Sequence, residues 1–213
     1  MKKRKITGAL LTVAILIVYC VVTPQNVQAK TNESQIKKLV NQMETYEYEV
    51  LSEGKTKVKL TKTEMAKAAA FSIKLTEKDH IKVAEFGEDD IYKITNKKLK
   101  KAGKNLFGIT LSGKNLPQKR KSGCISDAYR KADGTSVVSF ANIETELDYV
   151  VHSTKVTKKS ANKYQVKKKV FMGYWGNNNG QSNYTIVYEV KKCPKSTYGF
   201  KITNMRVVEQ KSN

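Results

Sequence analysis

Residues able to do chemistry are sparse and widely spaced in this chain of 213 residues. Its two histidines, His80 and His152, stand far apart and outside any metal-binding spacing. No GxSxG, HExxH, or SxxK with KTG or SDN elements frames a nucleophile. His152 lies beside Val150 and Val151 in a stretch that reads as a strand, from which it could face a pocket next to an acid and serve as a general base. Glu144, Glu146 and Asp148 would share one face if extended, and crowded carboxylates raise one another's pKa or hold a hard cation. A solvated strand edge is the plainer reading in so basic a chain. Glu88, Asp89 and Asp90 lack the alternating ligands and placed glycine of an EF-hand loop.

The most distinctive segment is FMGYWGNNNGQSNY at 171–184, with four aromatic residues that include the one tryptophan. Tyr174, Trp175, Asn178 and Tyr184, with His152, are the candidate ligand-contacting residues: flat rings supply apolar area and amides supply hydrogen bonds. The competing account is a hairpin whose GNNNG forms the turn and whose rings pack at the end of a sheet. Cys124 and Cys193 lack a CxxC spacing, which disfavours a thiol oxidoreductase. Pairing them would close a loop of about 70 residues, worth on the order of 4 kcal/mol by chain entropy. That disulfide is an expectation; two isolated or buried thiols are its alternative.

Few histidines and cysteines exclude clustered soft-ligand metal proteins, and no cofactor or metal is expected. Lys plus Arg number 40 against 19 Asp plus Glu, for a net charge of +21. KKRK at 2–5, an apolar run from Ile6 to Thr23, and small residues at Val27 and Ala29 read as a secretory signal peptide cleaved after Ala29. A retained anchor is the rival, and Tyr19 makes a poor lipidation context for Cys20. Loss of residues 1–29 would still leave +17. Outside the membrane the abundant polyanions are wall polymers, acidic glycans and anionic lipid surfaces, so these are the expected partners and nucleic acid is not. Lysine without much arginine also disfavours bidentate phosphate recognition. Neither GKNLFG nor GKNLPQ carries a nucleotide-binding loop, and two glycosylation sequons begin at Asn32 and Asn183.

The elements that must position these residues follow from periodicity. Ile36, Leu39, Val40 and Met43 predict a helix over Thr31–Thr45. YEYEVL at 46–51 and KVKL at 57–60 read as short strands around a turn. Thr61 and Glu64 form a capping box opening a second helix through MAKAAAF. IKVAEF and IYKI at 81–86 and 91–94 read as strands. Thr95 or Asn96 caps a third helix with Leu99, Ala102 and Leu106, and a surface loop is expected between Gly108 and Gly123. From Cys124 on the period is two, and ISDAYRK, TSVVSFA, LDYVVHSTKV, KYQVKKKVFMGYW, NYTIVYEVKK and YGFKITNMRVV predict an antiparallel meander with one packed and one lysine-rich face. Helices mainly at 31–107 and a meander mainly at 124–209 predict a single α+β domain over 30–213, its curved antiparallel sheet wrapped around the helices.

The order of helices then long strands resembles the cone-shaped NTF2-like or cystatin-like superfamily. KITNKKLKKAGKNLFG, VTKKSANKYQVKKKVFMGYW and YGFKITNMRVV resemble lysine-rich secreted proteins of uncharacterised function from Gram-positive gut bacteria. The resemblance assigns no catalytic set. The function expected is an exported, noncatalytic cell-surface or extracellular binding module, contacting an anionic wall polymer or glycan. The alternative is a small-ligand-binding or hydrolase-like enzyme with its pocket inside the cone-shaped sheet.

Overall fold

Helix α1 (Pro24–Asn41) starts earlier than its apolar stripe, yet that stripe behaves as the spacing demands: Ile36, Leu39, Val40 and Met43 are all fully buried. The computed structural model describes residues 24–82, 89–122, 126–141, 147–174 and 182–210. Residues Gln35–Asn213 form one unit and Met1–Ser34 another. After α1 come α2 (Glu44–Ser52) and α3 (Lys62–Phe71). Thr61 opens α3 by accepting a hydrogen bond from the Glu64 amide at 3.2 Å, but the return half of the expected capping box is not made, since the Thr61 amide donates to the Lys59 carbonyl at 2.7 Å. Ala66, Ala68, Ala69 and Ala70 are fully buried, and these short side chains let α3 approach its neighbours closely.

Two readings of this half are corrected. YEYEVL is not a strand; it lies in α2, and KVKL takes no regular structure. The alternation of tyrosine and glutamate mimics a half-buried strand, but both glutamates are buried because α2 is covered on opposite sides. Residues two apart on a helix point in nearly opposite directions, so Glu47 meets one sheet while Glu49 meets the other.

A 3-10 turn (Glu77–Asp79) leads into β1 (His80–Lys82), followed by β2 (Asp89–Ile94) and α4 (Asn96–Phe107). The Thr95 hydroxyl caps α4 from the Lys98 amide at 3.2 Å, and Gly108 closes it with φ 69°. Such a left-handed C-cap favours glycine. Gly103 sits mid-helix because a Cβ there would lie 2.8 Å from the Leu111 side chain. The expected surface loop is partly core: Leu111 and Leu116 are buried around a 3-10 turn at Gly113–Asn115, and Gly113 donates to Asn96 Oδ1 at 2.8 Å.

The strands β3 (Ser126–Arg130), β4 (Ser136–Ala141), β5 (Leu147–Ser160), β6 (Lys163–Tyr174), β7 (Ser182–Lys192) and β8 (Phe200–Gln210) complete the chain. They do not make one curved sheet. Two separate open four-stranded antiparallel sheets are present, ordered β1-β2-β4-β3 and β5-β6-β7-β8. This overturns the single cone-shaped sheet and with it the NTF2-like or cystatin-like assignment. The physical reason lies at β4. Its two edges are filled by β2 and β3, so no donors or acceptors remain to pair it with β5. Of the meander expected over 124–209, only β5–β8 form one consecutive sheet, and residues of both sheets and of all four described helices contribute to one apolar core.

Candidate functional site

On the second sheet, strand alternation sends Tyr164, Val166, Val170 and Met172 of β6 inward and leaves Lys167 and Lys169 exposed. Register then builds rows of charge across the outer face. Lys155 is opposite Lys167, Lys167 is opposite Val187, and Val187 is opposite Arg206. A second row runs from Lys163 through Lys191 to Lys201. Val187, on this outer side, is buried. Like charges directly opposite one another on a sheet oppose folding, so these rows weigh against stability. The described acids of the face are Asp148 and Glu189. Beyond Lys169 the face turns apolar, with Phe171 opposite Val150 and with Val208 exposed.

The residues singled out from sequence fall in different places. His152 is exposed at an irregularity of β5 between Val151 and Ser153, its ring edge-on to Phe171 at 6.3 Å. It therefore lies at the apolar end of the outer face. Tyr184 is half-buried opposite Val170 and packs against the core. Tyr174 ends β6 opposite Leu147. Trp175 and Asn178 lie outside the described residues, as do Glu88, Glu144 and Glu146. Asp148 is half-buried opposite Gly173, Asp89 is paired with Arg120, and His80 Nδ1 is 3.1 Å from Glu77. Cys193 is buried where a Cβ on Gly108 would meet its sulfur. Cys124, its expected disulfide partner, lies outside the described residues.

Sequence reasoning missed the buried ionic groups. Lys168, between the two exposed lysines of β6, points into the core and is fully buried. Its Nζ donates to Glu47 Oε2 at 2.7 Å and to Glu44 Oε1 at 3.3 Å, and sits 5.7 Å from the centre of the Tyr149 ring. The Tyr149 and Tyr188 hydroxyls also donate to Glu47. Burial pushes Tyr149 and Tyr188 well above the ordinary phenol range, reinforced by Glu47, so both remain donors. Burial likewise raises Glu47, opposed by Lys168 and the tyrosine donors. On the other side of α2, the Ser126 hydroxyl and amide donate to Glu49 Oε2 at 2.6 and 3.1 Å. Lys67 of α3 pairs with the fully buried Asp127 of β3 at 2.7 Å, and Tyr46 donates to Glu64 at 2.6 Å. These groups tie α2 and α3 to the two sheets.

No protein-family model, curated protein or solved structure matches the chain. The resemblance to lysine-rich secreted proteins of gut bacteria therefore has no support in homology, and its cone-shaped fold is contradicted by the two sheets.

Proposed function

We propose that the protein is an exported, noncatalytic module that binds an anionic polymer of the cell surface, a wall polymer or acidic glycan, on the outer face of β5–β8. The observation that carries this reading is the row Lys155, Lys167 and Arg206 on either side of Val187. Neighbouring strands lie roughly 5 Å apart, so the row offers a linear array of cations that a repeating polyanion can track. Lysine supplies point charges without the planar fork of arginine, which suits a flexible polymer better than one fixed phosphate. The apolar end at Phe171, Val150 and Val208 adds area against which sugar rings or a polyol backbone can lie. The leader-like segment at 2–29 supports an extracellular setting.

The test is co-sedimentation of the purified protein with a glycerol phosphate polymer, a neutral glucan, and phosphatidylglycerol vesicles. Binding to the charged polymer should weaken steeply as salt passes from about 50 to 500 mM. The triple variant Lys155→Thr, Lys167→Thr, Arg206→Thr should bind at least ~tenfold more weakly, about 1.4 kcal/mol. Equal retention by neutral glucan, unchanged binding by the variant, or binding confined to vesicles would each overturn the proposal.

A further inference from the structure

We propose that the cleft between the end of α3, α4 and the β7–β8 turn is a binding site for a small organic anion, a phosphate or carboxylate carried on an apolar body. The cleft has a volume of about 290 Å³, at the lower end of the range that holds small ligands. It is distinct from the outer face of the second sheet.

One face of α4 forms its side. Lys98, Lys101, Ala102 and Asn105 line the cleft at the i, i+3, i+4, i+7 spacing. This arrangement works against the helix itself. Lys97 and Lys98 stand in a first turn that contains no acidic residue, where the helix dipole disfavours cations, and Lys98 and Lys101 repel at i, i+3. Asp79 answers one of these charges: its Oδ1 accepts from Lys98 at 2.5 Å, while Oδ2 is held by the Thr76 amide and hydroxyl. Lys74, three residues past the end of α3, and Lys101 also line the cleft, and neither is in an ion pair with a carboxylate among the described residues. Two exposed lysines, Lys74 and Lys101, thus line one opening.

The rest of the site is built rather than incidental. Asn105 Oδ1 accepts from the Thr197 hydroxyl and amide at 2.9 and 3.3 Å, and its carbonyl accepts from Ser196 Oγ at 2.7 Å. The β7–β8 turn is thereby locked to α4, fixing the wall that carries Tyr198. The Asn105 amide nitrogen keeps its hydrogens available, with no acceptor among the described residues. Ile73, Leu106 and the Tyr198 ring supply the apolar floor. Cations at the rim and apolar surface below select an amphiphilic anion over a free inorganic one.

The test is amide NMR of the purified protein titrated separately with phenyl phosphate, benzoate, inorganic phosphate and phenol. Phenyl phosphate or benzoate should shift the amides of Ile73, Ala102 and Tyr198 and bind at least ~tenfold more tightly than inorganic phosphate or phenol; the tighter of the two identifies the acid group. Lys74→Gln with Lys101→Gln should weaken that binding ~tenfold or more, whereas Lys97→Gln with Lys100→Gln, exposed cations of α4 outside the cleft, should not. The triple variant of the sheet face should bind these probes normally, so the failure of either proposal is visible without the other. Shifts confined to the sheet face, no preference over inorganic phosphate, or equal loss in both lysine pairs would sink the assignment.

Discussion

Lys168 is the middle residue of the run KKK at 167–169, and strand alternation that exposes its neighbours carries it into the core. Its charge is tolerated there because Glu47 meets it at 2.7 Å and two tyrosine hydroxyls complete the carboxylate's shell. Lys168→Met should destabilise the protein by about 3–5 kcal/mol at pH 8, since the carboxylate is then buried without its cation. The sign of the pH dependence follows from Glu47. Burial raises its pKa above the ordinary value of 4.5, and Lys168 opposes that rise. The folded state therefore holds this proton more tightly than the unfolded chain, so its contribution is fully present below 4.5 and is lost as pH rises through the folded value. Removing Lys168 raises Glu47 further, so the variant should lose stability between pH 5 and 8 more steeply than the parent, as checked by urea unfolding at both pH values. Half of this cluster was legible in sequence: Tyr164, Val166, Val170 and Met172 place position 168 on an apolar face. The partner was not, because Glu47 is 121 residues away and nothing local marks it as buried.

At the scale of elements, capping chemistry was the most readable feature. Thr61 and Thr95 open α3 and α4 where their side chains could accept from the third residue onward. The apolar stripe at 36–43 was equally clear. Helix α2 was not, because its Tyr/Glu alternation has the period of a strand and only burial on two sides reveals why a helix can hide both acids. Helix α4 carries a second lesson in Gly103. Gly→Ala in a helix ordinarily gains up to about 1 kcal/mol. Here the new methyl would lie 2.8 Å from Leu111 Cγ and Cδ1 and 3.0 Å from its Cβ, too close to the rigid start of that side chain to be relieved by rotation. Gly103→Ala should therefore be net destabilising by about 1–3 kcal/mol through overpacking, read as a lowered thermal midpoint.

For the whole molecule, charge is the dominant feature. The chain carries +21, and the second sheet sets Lys155 against Lys167 and Lys163 against Lys191. Screening should relieve this repulsion, so the melting temperature should rise as NaCl increases from about 20 to 500 mM. Lys155→Thr with Lys167→Thr should flatten that rise, whereas a general salting effect would leave its slope unchanged.

The alternation of β5–β8, the lysine-rich outer face it makes, the helix caps and the overall basicity were determined by the sequence itself. Each depends on residues close together in the chain, where a period of 2 or 3.6 declares which side meets solvent. Tertiary structure alone decided that the strands divide into two sheets, that α2 is held between them, and that α4 and the β7–β8 turn enclose a lysine-rimmed cleft. Those outcomes depend on which edges are already filled and on which distant charges become neighbours, such as Lys168 with Glu47 and Lys67 with Asp127. Local periodicity carries no record of either.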